Sequence, residues 1–430
     1  MFLADCLGVN ELGHLTIGGA DAIDLAREFG TPLYVLDETQ VRQNCRAYKE
    51  AIAKFYGGHG LPLYASKALS CKALCRIAQE EGMGLDVVSA GELYTALQAG
   101  FDPANIYFHG NNKTRFELEY ALRERVGFIV VDNLTELETL SGLAAGRPVD
   151  ILLRIKPGID AHTHQFIRTG QIDSKFGFAL ETGEAFEAAR MAAAAPNLRL
   201  VGVHCHVGSQ IFDVAPFELA ADVLLRFMAQ IKSELGITLT QLNLGGGIGI
   251  FYDETDDALP YGVYFEKVAA LLKERCAALD LPLPLLLLEP GRSIPGPAGV
   301  TLYTVGAVKE IPGIRTYVTV DGGMGDNPRY MMYGANYTVL CANRAAQPRT
   351  ETVTVAGRYC ESGDLIQEHT KLQATAPGDI LAVLATGAYN YSMASNYNRV
   401  PKPPMVMITE GRPRIIVRGE TIEDMARLDC

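Results

Sequence analysis

The sequence lacks a surplus of basic charge, a long apolar run and a paired set of cysteines, and each absence closes off a class of function. Lys and Arg number 38 against 50 Asp and Glu, a net charge of −12. A hold on nucleic acid or on an anionic membrane needs a basic face, so neither is expected as a partner. No stretch approaches the roughly 18 to 20 apolar residues that cross a bilayer. The opening "MFLADCLGVNELGHL" lacks the basic region and apolar core of a secretory signal, so a cytoplasmic location is expected. The nine cysteines are odd in number and scattered, which argues for reduced thiols, most of them small core residues. Low-complexity tracts are missing, as are repeats beyond a βα period. What is present, 48% hydrophobic and 20% charged residues in 430, excludes disorder and suffices for two sizeable cores. A small molecule is the expected partner.

From residue 60 to 290 an apolar, strand-like run followed by a helical stretch recurs about every 30 residues, the size of one βα unit. Strands are expected at 62–66, 85–88, 106–109, 127–131, 150–155, 200–206, 241–245 and 284–288. Between them, "CKALCRIAQEEG", "AGELYTALQAG", "NLTELETLSGLAAG" and "PFELAADVLLRFMAQIKSELG" carry apolar residues at helical spacing, and several end at Gly. Eight such units predict an α/β architecture, a (β/α)8 TIM-type barrel over 31–290. After "EPGRSIPGPAG" the helical period gives way to β-branched runs such as "VTLYTVGAVKEI", "RTYVTVDGG" and "PMVMITEGRPRIIVRG". These predict a second, mostly β, Greek-key-like domain over 291–430, to which residues 1–30, with "LTIGG", contribute.

A barrel gathers its chemistry at the C-terminal ends of its strands. There the sequence places Lys67 in "LPLYASKALSC", Asp86 and Ser89 in "GLDVVSAGE", His109 in "IYFHGNNK", Lys156 in "RIKPG", His204 and His206 in "VGVHCHVGSQ", Gly245, Gly246 and Gly247 in "LNLGGGIG", and Glu289 and Arg292 in "LLLLEPGRS". The glycine run is either a tight turn or a phosphate cradle, and its place after the seventh strand favours the cradle. Lys67 is either a solvated strand end or a Schiff-base amine, which needs a partly desolvated pocket. With a phosphate site in the same barrel mouth, pyridoxal 5′-phosphate becomes a concrete candidate, and Glu289 suits its pyridine nitrogen. His204 and His206, two apart on one strand, share a face, but no carboxylate or cysteine cluster completes a metal site, and none is expected. Cys71 and Cys75 read as core thiols. In the β domain "YCESGD" offers Cys360 either as a tuned proton donor or as a spectator in an edge turn.

Together "YASKAL", "GLDVVSAGE", "TGQIDSKFGF", "HCHVGSQ", "LNLGGGIGI", "EPGRS", "CESGD" and "GAYNYSMASNYN" resemble, in order and over nearly the whole chain, the signature segments of meso-diaminopimelate decarboxylases. These are fold-type III, alanine-racemase-like enzymes that use pyridoxal 5′-phosphate. The resemblance implies decarboxylation of meso-2,6-diaminopimelate to L-lysine, the last step of lysine biosynthesis. It implies that Lys67 holds the cofactor, His206 stacks on its ring, and Ser209 with Gly245, Gly246 and Gly247 seats the phosphate. Glu289 would pair with the pyridine nitrogen, with Asp86, Gly291, Arg292 and Tyr389 completing the cofactor set. Arg292, Arg329, Tyr333, Glu361 and Tyr389 would grip the distal end of the substrate. Cys360 would protonate the carbanion from the neighbouring subunit of a homodimer. In "DNPRYMMYGANY", Tyr330 stands where the resemblance leads one to expect a Pro.

The nearest rival on the same fold is a decarboxylase of ornithine, arginine or lysine, against which "CESGD" and "HVGSQ" argue. An alanine racemase would set Arg where Glu289 stands. A non-catalytic homologue would be marked by loss of Lys67 or Cys360, and both are present. A barrel acting on a sugar phosphate would explain the glycine run but not Lys67 and Glu289.

Overall fold

The computed structural model describes residues 2, 4–144, 146–158 and 174–430, which divide into two compact units. One comprises Cys45–Gly249 and Ala258–Gly291, the other Met1–Asn44, Ile250–Asp257 and Arg292–Cys430. The opening residues of "TGQIDSKFGF", 169–173, lie outside the described residues.

The first unit is a closed ring of eight parallel strands, β1 (Gly60–Ala65), β2 (Gly84–Val87), β3 (Ile106–Phe108), β4 (Phe128–Val131), β5 (Val149–Lys156), β6 (Leu198–His204), β7 (Gln241–Asn243) and β8 (Leu285–Leu288). The seam is β8 against β1, with Leu286 opposite Gly60. Every strand expected from the sequence is there, displaced by a residue or two at its ends. Helices alternate with them, and their starts are chemically marked. Ser89, Thr114 and Asn133 each accept a hydrogen bond from the backbone N–H three residues on, satisfying donors that the first turn leaves open. Gly236, in the left-handed region, closes the helix Ala215–Leu235.

Side chains alternate along a strand, and the inward set fills the ring. Leu63, Tyr107, Val130, Leu152 and Leu287 form a buried layer with Leu61, Phe128, Val201 and Leu285 packed against it. Each large apolar side chain buried here contributes roughly 1.5–3 kcal/mol. Tyr107 stacks on Phe128 at 4.3 Å between centroids and donates its hydroxyl to Gln241. Two residues further along the same strands come His109, Asp132, Arg154, Asn243 and Glu289, all buried. The period that packs the interior therefore delivers a polar layer at the C-terminal end of the barrel.

In the second unit one sheet runs in the order Leu365–Leu372, Glu351–Ala356, Arg315–Val320, Gly299–Ile311, Leu33–Asp37, Met405–Thr409 and Arg412–Val417. Ile380–Leu384 also pairs with the long central strand Gly299–Ile311 and carries Val339–Cys341 on its other side. Leu33, Val35, Val300, Leu302, Val406 and Ile408 share one core; Tyr303, Val305, Val318, Val353 and Ile366 share another.

The division falls elsewhere than at residue 30. Leu33–Asp37, within the range read as barrel, pairs with Gly299–Ile311 and Met405–Thr409, and the boundary follows Asn44. Ile250–Asp257 also joins the β unit, because Ile250 and Tyr252 pack in its core. The segment "LTIGG" does supply a strand, Leu15–Ile17, but in a separate three-stranded sheet with Leu7–Val9 and Ala20–Asp21. Among the described residues no helix is long and apolar enough to cross a membrane.

Candidate active site

In the barrel, β1 gives way at Ala65 to a single 3-10 turn, Ser66–Ala68, that carries Lys67. The turn is tied on both sides. Ser66 Oγ donates to Glu92 Oε2 at 2.9 Å, which also accepts from Val88 N–H, and Ala65 N–H donates to Pro290 O. Lys67 itself is exposed among the described residues. Its charge nevertheless bears on His206 and Asp86.

Glu289 is the hub of the polar layer. Asn243 Nδ2 donates to its Oε1 at 2.7 Å, His109 Nε2 lies 2.9 Å from Oε1, and His204 Nε2 lies 3.2 Å from Oε2. Burial opposes the charge of this carboxylate, but the two imidazoles outweigh it and hold Glu289 well below the usual range. Burial pushes His204 down to about 4, so at neutral pH it is an uncharged imidazole giving its Nε2–H to Glu289. Asp86 is pushed up by burial, an effect that His109 at 3.8 Å moderates. Burial likewise lowers Arg154, 3.7 Å from Asp132.

His204 and His206 do not act as a strand-face pair, because β6 ends at His204. Among the described residues the grouping of potential ligands is instead His109, His204 and Glu289, all buried. His206 lies beyond the strand, half-buried, its imidazole pushed well below the usual range by burial and then by the charges of Lys67 and Arg154.

The glycine run leaves β7 pinned by Asn243, whose Oδ1 accepts from Gly245 N–H at 2.9 Å. A Cβ on Gly246 would lie 2.1 Å from Glu289 O, and one on Gly247 would lie 2.4 Å from Gly208 O. Gly245 and Gly247 have φ of 69° and 118°, which favour glycine. Among the described residues the N–H groups of Gly246 and Gly247 donate to no protein acceptor. Ser209 is half-buried in the adjoining loop, Gly291 is buried after β8, and Ser89 and Lys156 are spent on a helix cap and a contact with Ser174 O.

The β unit holds its own polar cluster. Arg292 and Arg329, both buried, donate to one phenol oxygen, that of Tyr252, at 2.5 and 2.9 Å. Arg329 also donates to Tyr337 at 2.8 Å, and its guanidinium lies 6.0 Å from the Tyr333 ring centroid. Arg292 lies 4.7 Å from the centroid of Tyr389, a residue held at φ 61°. Tyr330, in the helix Arg329–Tyr333, donates to Glu368, which also pairs with Arg315, so the residue in place of a Pro anchors that helix. The turn with Cys360 and Glu361 is fixed by Asp364, which accepts from Met324 N–H and Tyr359 N–H, and by Asn398, which accepts from Cys360 N–H. Cys360 and Glu361 are exposed; Glu361 Oε1 accepts from Gly363 N–H.

Residues 38–296 match the family model of the pyridoxal-dependent decarboxylases, pyridoxal binding domain. The diaminopimelate decarboxylase of Bacillus subtilis is 48% identical over 431 residues, covering 100% of this chain and 98% of that one. The chain belongs to the diaminopimelate decarboxylase family. Two solved members of this family are similar throughout. The M. jannaschii diaminopimelate decarboxylase in co-complex with L-lysine gives a TM-score of 0.91 at 34% identity, covering 100% of this chain and 99% of that one. The Helicobacter pylori diaminopimelate decarboxylase complexed with L-lysine gives 0.86 at 34%, covering 95% and 99%.

The barrel of this diaminopimelate decarboxylase family member fits pyridoxal 5′-phosphate by its own donors. Gly246 and Gly247 offer backbone N–H groups to a phosphate, and Oε2 of Glu289, bonded among the described residues to His204, keeps an acceptor position for a pyridinium N–H. Sequence reasoning missed Asp132 and Arg154, although stepping two residues on from the inward apolar positions Val130 and Leu152 would have found them, and Asn243, which follows the polar Gln241. It also missed Tyr252, Tyr337 and Glu92, for which no local pattern gives a signal.

Proposed function

We propose that the chain decarboxylates meso-2,6-diaminopimelate to L-lysine and CO2, as a homodimer whose sites draw residues from both subunits. The observation that carries this reading is the pair of buried guanidiniums, Arg292 and Arg329, held side by side by phenol oxygens. Such a pair suits a carboxylate that the reaction leaves untouched, the one L-lysine retains. A substrate without it, such as ornithine, would forgo the charge-assisted hydrogen bonds that the two guanidiniums offer a carboxylate, a strong basis for rejection.

Bound pyridoxal phosphate supplies an electron sink for the pair left at Cα when CO2 departs. Lys67 would hold the cofactor through its amine. Glu289, kept anionic by its imidazole neighbours, keeps a proton on the pyridine nitrogen. His206, kept uncharged, would stack on the ring of the bound cofactor. Gly245, Gly246, Gly247 and Ser209 take the phosphate, with Asp86 and Gly291 shaping the cofactor site and Tyr389 bordering it. Tyr333 and Glu361 join the arginines at the distal end, Glu361 taking the ammonium. Cys360 delivers a proton to Cα from the partner subunit; its exposure in a single chain supports that assignment.

Release of CO2 from meso-diaminopimelate, ornithine, lysine and arginine tests the reading. Turnover of meso-diaminopimelate is expected to dominate, and Lys67→Ala is expected to lose both turnover and the visible absorbance of the bound cofactor. Preference for a substrate without a distal carboxylate would overturn the substrate assignment, and an unchanged spectrum would overturn that of the lysine.

A further inference from the structure

We infer that Tyr252 is the positioning residue that gathers Arg292 and Arg329 into one fork for the distal carboxylate, and so sets how strongly a substrate carrying that carboxylate is preferred. The inference rests on the role proposed above for the two arginines. A phenol oxygen has two acceptor positions, and Arg292 Nη1 at 2.5 Å and Arg329 Nη1 at 2.9 Å take both. Two guanidiniums converging on one buried point repel each other, and the partial negative charge of the oxygen between them offsets that repulsion. Burial works against ionisation of Tyr252, yet the two arginine charges more than reverse it and bring the hydroxyl below its ordinary 10.

The phenol is itself held in place. Tyr252 N–H donates to Asp256 Oδ2 at 2.7 Å, its carbonyl accepts from Thr338 N–H and Oγ1, and its ring meets Tyr337 edge-on at 5.2 Å. Tyr337 accepts from Arg329 and from Asn390 Nδ2. Arg329 is thus fixed by two phenols, and Arg292 by Tyr252 and the Tyr389 ring. An arriving carboxylate meets two guanidiniums in a geometry already set, whereas a molecule with no carboxylate gains nothing from it.

Tyr252→Phe in the holoenzyme removes the oxygen and keeps the ring. The expected result is a KM for meso-diaminopimelate raised about tenfold or more, with kcat within about threefold. Inhibition by L-lysine, which retains the distal carboxylate, should weaken by a similar factor, and inhibition by 1,5-diaminopentane, which lacks it, should not. A general structural defect would move both inhibitors together. An unchanged selectivity for L-lysine over 1,5-diaminopentane overturns the inference alone. If the unaltered enzyme shows no such selectivity, the inference falls together with the arginine role beneath it. A second measurement needs no variant. Near-ultraviolet titration of the holoenzyme should show one of the 19 tyrosines ionising ahead of the others, and L-lysine, by adding negative charge beside it, should shift that step to higher pH while 1,5-diaminopentane leaves it in place. Absence of an L-lysine-dependent shift overturns the inference.

Discussion

His204 illustrates at the level of one residue how depth decides charge. It is buried, uncharged and hydrogen-bonded to Glu289, with its acidity shifted from 6.5 to about 4. A folded-state value below the unfolded one means that the unfolded chain takes up the proton first as pH falls. The stability His204 contributes is therefore present above 6.5 and lost progressively down to about 4. Urea unfolding followed across that window should show a decline, of which up to about 3 kcal/mol belongs to this group, and His204→Asn should flatten it. Legibility differed by residue for a physical reason. Lys67, His109 and Glu289 stood out because each is a polar residue ending an apolar strand. Tyr252 could not be found that way: it is an apolar-looking residue in an irregular segment, and its importance comes from Arg292 and Arg329, 40 and 77 positions away in sequence.

Among the elements, the barrel strands were readable because each is a short apolar run bounded by turn residues and followed by a helix. Leu33–Asp37 has the same apolar texture and is buried at every position, so nothing local states which sheet it joins. Pairing with Gly299–Ile311 and Met405–Thr409 decides it, and those contacts are distant in sequence. The division after residue 30 failed on that account. The glycine turn after β7 is the element most exposed to a single methyl group. Gly246→Ala would drive Cβ into the carbonyl of Glu289, backbone against backbone, which side-chain rotation cannot relieve. The expected outcome is a loss of roughly 1–3 kcal/mol in stability together with weaker retention of pyridoxal phosphate, read by thermal unfolding and by cofactor titration.

For the whole molecule, the proposed sharing of sites between subunits has a quantitative signature. Lys67→Ala and Cys360→Ala homodimers should each be impaired. Equal amounts unfolded and refolded together should recover about a quarter of wild-type activity, because half of the dimers are mixed and each mixed dimer has one intact site. No recovery above the separate variants would place both residues in the same chain's site. Around Cys360 the fold was less readable than its motif. "CESGD" was recognisable as letters, but its anchoring by Asp364 and Asn398 depends on loops far along the chain.

The path of the chain also sets an order of assembly. Strand Leu33–Asp37 is made before the barrel strands, yet its neighbours, Gly299–Ile311 and Met405–Thr409, come after them, so it must wait unpaired until the last barrel strand, Leu285–Leu288, has also emerged. During synthesis the β unit is thus the last part to form. Chains truncated between Leu288 and Gly299 should carry a formed barrel preceded by a bare apolar segment, Leu33–Asp37, a natural target for chaperones.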